Sequence, residues 1–265
     1  MLCGVIACVL MTTTRLLHVI ALSASVIAAD AFAQGMPGAR MKNPGEQLVK
    51  FLGKNTAFSA DAHVSIQNAT GENVHEMEFT YAMLDTKVRT EMDMTKMRRA
   101  AMPPEAMAQL KQMGMDKTIN VFIPEKQLMY MIYPGLQAYC EMPTPGAAAA
   151  AGAKEAKEPK IEQTEIGKET IDGHPCVKWK VIVTDDAGNK ANALLWRATD
   201  LKELPIQTQV TTDNGTIITT LFKNVNQNKP DASLFAPPAG FKRYGSMQEL
   251  MMEKMQSMMP GAGTR

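Results

Sequence analysis

Residues 176–183 read Cys-Val-Lys-Trp-Lys-Val-Ile-Val. Val177, Trp179, Val181 and Val183 recur at every second position, so in an extended chain they share one face. Turn signals stand on both sides. Asp172-Gly173-His174-Pro175 precedes the stretch, and Asp185-Asp186-Ala187-Gly188 follows it as a hairpin turn. A strand between two reversals is the repeating unit of an antiparallel meander.

The same unit is read outward in both directions. Strands are predicted at 162–170, 189–197 and 205–212, and Asn214-Gly215 is a hairpin signal into 216–225. The stretch 230–235, followed by 237–241, is predicted to close the sheet. Upstream, 58–66, 74–83 and 87–94 form a three-stranded meander, with a turn at 68–71. Further strands are expected at 118–123, 127–133 and 137–142. Pro103-Pro104 introduces 105–113, where Met107, Leu110 and Met113 predict a short amphipathic helix that ends at Gly114. A second helix is expected over 246–259, stopped by Pro260-Gly261. The fold class that follows is mainly antiparallel β, with about 9–11 strands and short helices.

The chain has 265 residues, a formal net charge of +1, 45% hydrophobic residues and 6% aromatics. That is room for one large domain or two small ones. Near-neutral charge argues against nucleic acid as a partner and gives no support for binding anionic membranes. Arg15 is followed by a short apolar run, then Ala31-Phe32-Ala33 before Gln34. A basic flank, an apolar core and an A-x-A site predict a signal peptide over 1–33, cleaved near Ala33. Met11 is the more natural start than Met1. His18, Ser23, Ser25 and Asp30 interrupt the run, so no stable transmembrane segment is expected after cleavage. No cysteine follows the apolar core, which argues against a lipid anchor. The expected location is the periplasm, or otherwise outside the cell. After cleavage only Cys140 and Cys176 remain. In an oxidising compartment they pair as a disulfide or stand as two separate buried thiols, and the sequence leaves both readings open. Residues 34–45 read as a flexible Gly/Pro-rich leader and 46–245 as a single domain. Residues 144–159 (TPGAAAAAGAKEAKEP) are a flexible loop within it, and 246–265 are a Met-rich helix and tail.

One family resemblance rests on particular residues. Gly167-Lys-Glu-Thr-Ile-Asp-Gly-His-Pro-Cys176 is followed by Lys178-Trp-Lys180, then Leu194-Leu-Trp196 and Leu204-Pro205. The closing run is Lys229-Pro-Asp-Ala-Ser-Leu-Phe235-Ala-Pro-Pro-Ala-Gly-Phe-Lys242. These motifs resemble LolA/LolB-like exported proteins of an uncharacterised family. The resemblance covers most of 50–243 in order, and its motifs lie in 165–243. They are fold-making and contain no catalytic signature. The resemblance implies a LolA-like half-barrel, a curved open sheet with short helices across the concave face. In lipoprotein carriers of similar fold that cavity receives acyl chains. This chain departs from them in its Ala/Lys/Glu loop and its Met-rich tail, so the resemblance implies the cavity and not the cargo.

The inner face of a half-barrel must be covered, by helices or by a ligand. Alternation assigns Val177, Trp179, Val181, Leu195, Ile217 and Phe222 to its wall. Met251 and Met255 are expected from a lid, since Met repacks readily around varied apolar guests. The Met-rich segments 92–115 and 247–259 read equally as ordinary packed helices. Thioethers also suit Cu(I), and Met251, Met255 and Met258 have i, i+4, i+7 spacing. Yet 22 Met spread through the chain point to general replacement of Leu by Met. His63, His75 and His174 lack metalloprotease spacing and read as structural or solvated. No G-x-S-x-G, C-x-x-C or phosphate loop is present. The expectation is therefore a non-enzyme without a cofactor. The first reading is a carrier of a lipid or other apolar ligand. The alternatives are an envelope protein-interaction module and a Met-based copper-handling protein.

Overall fold

Alternation governs β1 (Ala57–Gln67): Phe58, Ala60, Ala62 and Val64 are buried, while the residues between them are partly exposed. The computed structural model describes residues 52, 55–97, 103–143, 160–184, 190–212 and 214–258. The signal peptide, the leader at 34–45 and the loop at 144–159 lie outside the described residues.

Two antiparallel meanders make the sheet. The first is β1 with β2 (Asn73–Leu84), β3 (Lys87–Asp93), β4 (Lys117–Ile123), β5 (Leu128–Tyr133) and β6 (Ala138–Pro143). The second is β7 (Lys160–Ile171), β8 (His174–Thr184), β9 (Lys190–Ala198), β10 (Leu204–Thr211) and β11 (Ile217–Asn226). Pairing of β1 with β11 joins them into one sheet. The order is β12-β6-β5-β4-β3-β2-β1-β11-β10-β9-β8-β7, with β7 at one open edge. Twist accumulated over so many strands makes a single sheet curl. Register shifts at Ser59/Asp61, Ile66/Gln67, Pro205/Gln207 and Glu165/Gly167 add local bends. The result is an open, mainly antiparallel half-barrel.

The closing strand differs from the expectation. Residues 230–235 do not pair; Ala232–Phe235 form a 3-10 turn capped by Asp231, whose carboxylate accepts from the Ser233 N–H at 2.8 Å. Pro230, Pro237 and Pro238 lack the N–H that a ladder needs. Phe235 is buried instead against Ala82, Val121 and Ile132 on one face of the sheet, and Arg89 Nη1 donates to the Leu234 carbonyl at 2.8 Å. The strand at that edge is β12 (Lys242–Tyr244), which runs parallel to β6.

Among the described residues there are two α-helices. The first, α1 (Pro104–Gln112), has Pro104 in its first turn and packs Met107 and Leu110 onto a core cluster drawn from β1–β4 and β8–β11. The second, α2 (Met247–Met258), begins with a capping box. Ser246 Oγ accepts from the Glu249 N–H at 3.1 Å, and the Glu249 carboxylate accepts from the Gly245 N–H at 2.8 Å. Leu250 is fully buried among Tyr133, Ala138, Cys140 and Tyr244. Lys242 Nζ and the Tyr244 hydroxyl both donate to Glu253, which ties α2 to β12. Thus α2 lies against the edge of the first meander, while α1 packs on a cluster that both meanders share.

Candidate ligand-binding face

Residues directly opposite across an antiparallel ladder point to the same side. Trp179 stands opposite Leu195, Leu195 opposite Thr208, Thr208 opposite Thr220, Thr220 opposite Val64, and Val64 opposite Met77. Two positions along, Phe222 stands opposite Ala62, Ala62 opposite Phe79, and Phe79 opposite Met92. One face therefore runs unbroken from β8 to β3. Val177, Trp179, Val181, Leu195 and Phe222 all belong to it. Ile217 does not. No register shift separates it from Phe222, and a separation of five residues puts it on the opposite side, so its neighbour Ile218 takes the place on this face, opposite Ile66 and Val210. A pair of adjacent isoleucines gives alternation nothing to distinguish, and a slip of one residue changes the face.

The face has two regions. In the first, the rings of Phe58, Tyr81 and Phe222 pack with centroids 5.0 to 5.8 Å apart. Met77, Met83 and Met92 surround them, and Met94, Met97, Met107 and Leu110 of the β3–β4 connection pack against the same cluster. Complete burial pushes the Tyr81 phenol far above its usual pKa, so it stays neutral. This region is ordinary core.

The second region is different. Val181, Val183, Ala191, Ala193, Leu195 and Val210 form a separate buried cluster with Trp179 at its margin. Leu195 is 0% exposed and Val181 1%. Every member comes from β8, β9 or β10, and no hydrophobic side chain of another described element joins them. Neither described helix contributes a hydrophobic side chain to this cluster. On β9 the face reads Arg197, Leu195, Ala193 and Ala191, with Val181 and Val183 on one side and Val210 on the other. Two small alanines between valines make a furrow along the strand that is itself buried, with Ala191 8% and Ala193 2% exposed. Arg197 stands at its head. Its guanidinium lies over the Trp179 ring at 5.7 Å, and Nη2 donates to Gln163 Oε1 at 3.2 Å. Its Nε is buried without a hydrogen-bond partner.

Two clefts open among the described residues. One, of about 370 Å³, is lined by Lys168, Glu169, Thr170, Pro175, Cys176, Val177 and Thr199. Near it, His174 Nδ1 lies 2.8 Å from Asp200 Oδ2, a contact that the sequence analysis did not find because Asp200 is distant in the chain. Burial raises the Cys176 pKa, the reverse of what a nucleophilic thiol needs. The other cleft, of about 540 Å³, lies between the end of α1, the β5–β6 turn and Lys254. It holds none of the residues assigned to the wall.

The remaining candidates are dispersed. Met251 packs under α2 against the β6 edge, far from the furrow. Met255 and Met258 belong to α2, but their side chains lie outside the described residues. Among the described residues no three His, Cys, Asp or Glu side chains gather as metal ligands. Cys140 and Cys176 are both buried free thiols, on β6 and β8, with eight strands between them in the sheet order. His63 faces Glu78 at 3.4 Å on the opposite side of the sheet. No described helix is long and apolar enough to cross a membrane.

A family model described as "Domain of unknown function (DUF4412)" matches residues 65–204. No curated protein matches the chain. Among solved structures, LprF from Mycobacterium bovis is similar at 13% identity, over 73% of this chain and 99% of that one, with a TM-score of 0.35. The MucA/MucB complex of Pseudomonas aeruginosa is similar at 12% identity, over 74% of this chain and 61% of that one, with a TM-score of 0.37. The LolA superfamily protein NE2245 from Nitrosomonas europaea has 7% identity, over 72% and 94%, and a TM-score of 0.29. Similarity this low says nothing about what the present chain binds.

Proposed function

The chain belongs to the DUF4412 family, and we propose that it is an exported, non-catalytic binding protein that carries a lipid or other apolar ligand on the open face of its half-barrel. One observation carries this reading: the cluster of Val181, Val183, Leu195 and Val210 has no described covering element. All four are at most 6% exposed, and burial of each stabilises by about 1.5–3 kcal/mol, so they form an interior apolar surface that a guest reaches by displacing what covers it. The predicted signal peptide at 1–33 supports an exported location.

Trp179 and Trp196 are the two tryptophans of the chain. In a Trp196→Phe background, Trp179 reports on the wall alone. Titration of the delipidated protein with a long-chain acyl ligand is expected to shift Trp179 emission. Ala193→Phe fills the furrow and is expected to weaken binding at least about tenfold, the loss of well-packed apolar contact. Undiminished affinity in a folded Ala193→Phe protein contradicts the reading.

A protein-interaction role is favoured by a separate feature. Along β7, residues 160–170 are all exposed, including Ile161 and Ile166, and among the described residues one side of the strand is unpaired. Such an edge accepts an added strand. The register shift at Glu165/Gly167 and the Lys160–Glu162 ion pair are features that protect edges from indiscriminate pairing, which makes this the second reading.

A further inference from the structure

Sulfur is concentrated near the β6 edge of the sheet. On β5 and β6, Met129 stands opposite Met142, and Met131 opposite Cys140. Alternate residues share a face, so these four side chains lie on one side of the sheet. Side chains directly opposite start about 5 Å apart at Cβ, within reach of each other's sulfurs. From above, α2 packs Met247 and Met251, four residues apart on one helical side, onto the cluster that contains Cys140. Met115, just beyond the end of α1, packs on the same cluster. Three separate parts of the fold thus bring thioethers to the surroundings of one buried free thiol.

Space filling explains each methionine taken singly. Two details go further. The Tyr133 hydroxyl donates to Met131 Sδ at 2.6 Å, which fixes that sulfur and leaves its second lone pair for another partner. Asn120 on β4 stands opposite Met131 on the same face. It is 2% exposed, and among the described residues its Oδ1 has no hydrogen-bond partner. A bare acceptor beside the sulfur patch is costly unless a donor or a positive charge faces it.

We infer that this patch is a Cu(I) site, in which the sheet supplies the Cys140 thiolate and the Met131 thioether and α2 closes it with a thioether of Met247 or Met251. Soft sulfur ligands select Cu(I). The thiol releases its proton to solvent on binding, and the thiolate then cancels the single charge of the ion. A neutral pair suits apolar surroundings, where a divalent ion would leave a net charge buried. No preformed hole is needed. Three sulfurs in ordinary contact, about 4 Å apart, enclose a point about 2.3 Å from each, a normal metal–sulfur distance. The cleft of about 540 Å³ is the route of entry: Met115 and Leu136 line it and also pack on the Cys140 cluster, and Met113 lines it too. This site is separate from the β8–β10 cluster, so it goes beyond the carrier reading and does not rest on it.

The test is an anaerobic competition in which the mature protein withdraws Cu(I) from its coloured bicinchoninate complex, with thermal melts confirming that each variant folds. Wild type is expected to take one equivalent. Cys140→Ala removes the anionic ligand and is expected to weaken binding about a hundredfold, since charge counts most in a dry site. Met131→Leu, and Met247→Leu combined with Met251→Leu, conserve side-chain volume and keep the test decisive should Cys140→Ala fail to fold. Each is expected to weaken binding at least about tenfold. Cys176→Ala, on β8, is expected to bind as wild type does. If wild type withdraws no Cu(I), the assignment is overturned. It is overturned equally by binding that survives both methionine variants, which places the copper elsewhere, or by equal losses in Cys140→Ala and Cys176→Ala, which mark adventitious binding to thiols.

Discussion

Gly114 and Gly135 meet where the end of α1 crosses the β5–β6 turn. A Cβ on Gly135 would lie 2.6 Å from the Gly114 carbonyl oxygen and 2.9 Å from its Cα. Gly114 itself has φ +69, a conformation that favours glycine. Backbone on backbone cannot yield as a side-chain tip does. Gly135→Ala is therefore expected to destabilise the protein by about 1–3 kcal/mol. In a chain of this size that lowers Tm by several degrees in a thermal melt. An unchanged Tm would show that α1 is not held at this point. Other residue-level features were hidden from the sequence. Thr208 and Thr220 sit on the apolar face, buried, where a count of apolar residues passes over them. Arg197 follows Leu194-Leu195-Trp196, and only the approach of β7 and β8 shows that its charge is unmatched.

At the scale of elements, the strands with clear alternation and turn punctuation were legible. The stretch 176–183 lies within β8, and the expected helices at 105–113 and 246–259 are α1 and α2 to within one residue at each end. These are local patterns, set by period and by caps. β12 was not legible. It is three residues long, shows no alternation, and exists because a long connection returns Lys242 and Tyr244 to the β6 edge. The position of α2 was likewise hidden. Its methionines fitted a lid over the wall, but Leu250 anchors it over Cys140 at the far edge. Burial and the nearby Glu249 push the Cys140 thiol up to about 11, so it is protonated at neutral pH. Ser246→Ala removes the cap of α2 and is expected to loosen it by about 1 kcal/mol. A thiol reagent applied to the native protein should then label Cys140 faster, with Cys176 unaffected. Equal labelling rates in wild type and variant would contradict the docking of α2 over that cysteine.

At the scale of the whole molecule, the two meanders divide the work. The first buries its face under α1 and α2 and supplies the stable core, with Phe58, Tyr81 and Phe222 at its boundary. The second contributes Cys176, Trp196, Ala198, Leu204 and Ile206 to that core and holds Val181, Leu195 and Val210 in a separate buried cluster. Pairing of β1 with β11 joins the two clusters through one sheet. The curved open sheet was expected from the family resemblance, whereas the places where the helices dock are set by long-range packing. The most direct test of the account is native mass spectrometry of the mature protein purified gently from its own cell envelope. The account predicts a non-covalent acyl species bound to the chain, released on delipidation. A bare protein mass under the same gentle conditions, with β8–β10 still protected from hydrogen exchange, would contradict it.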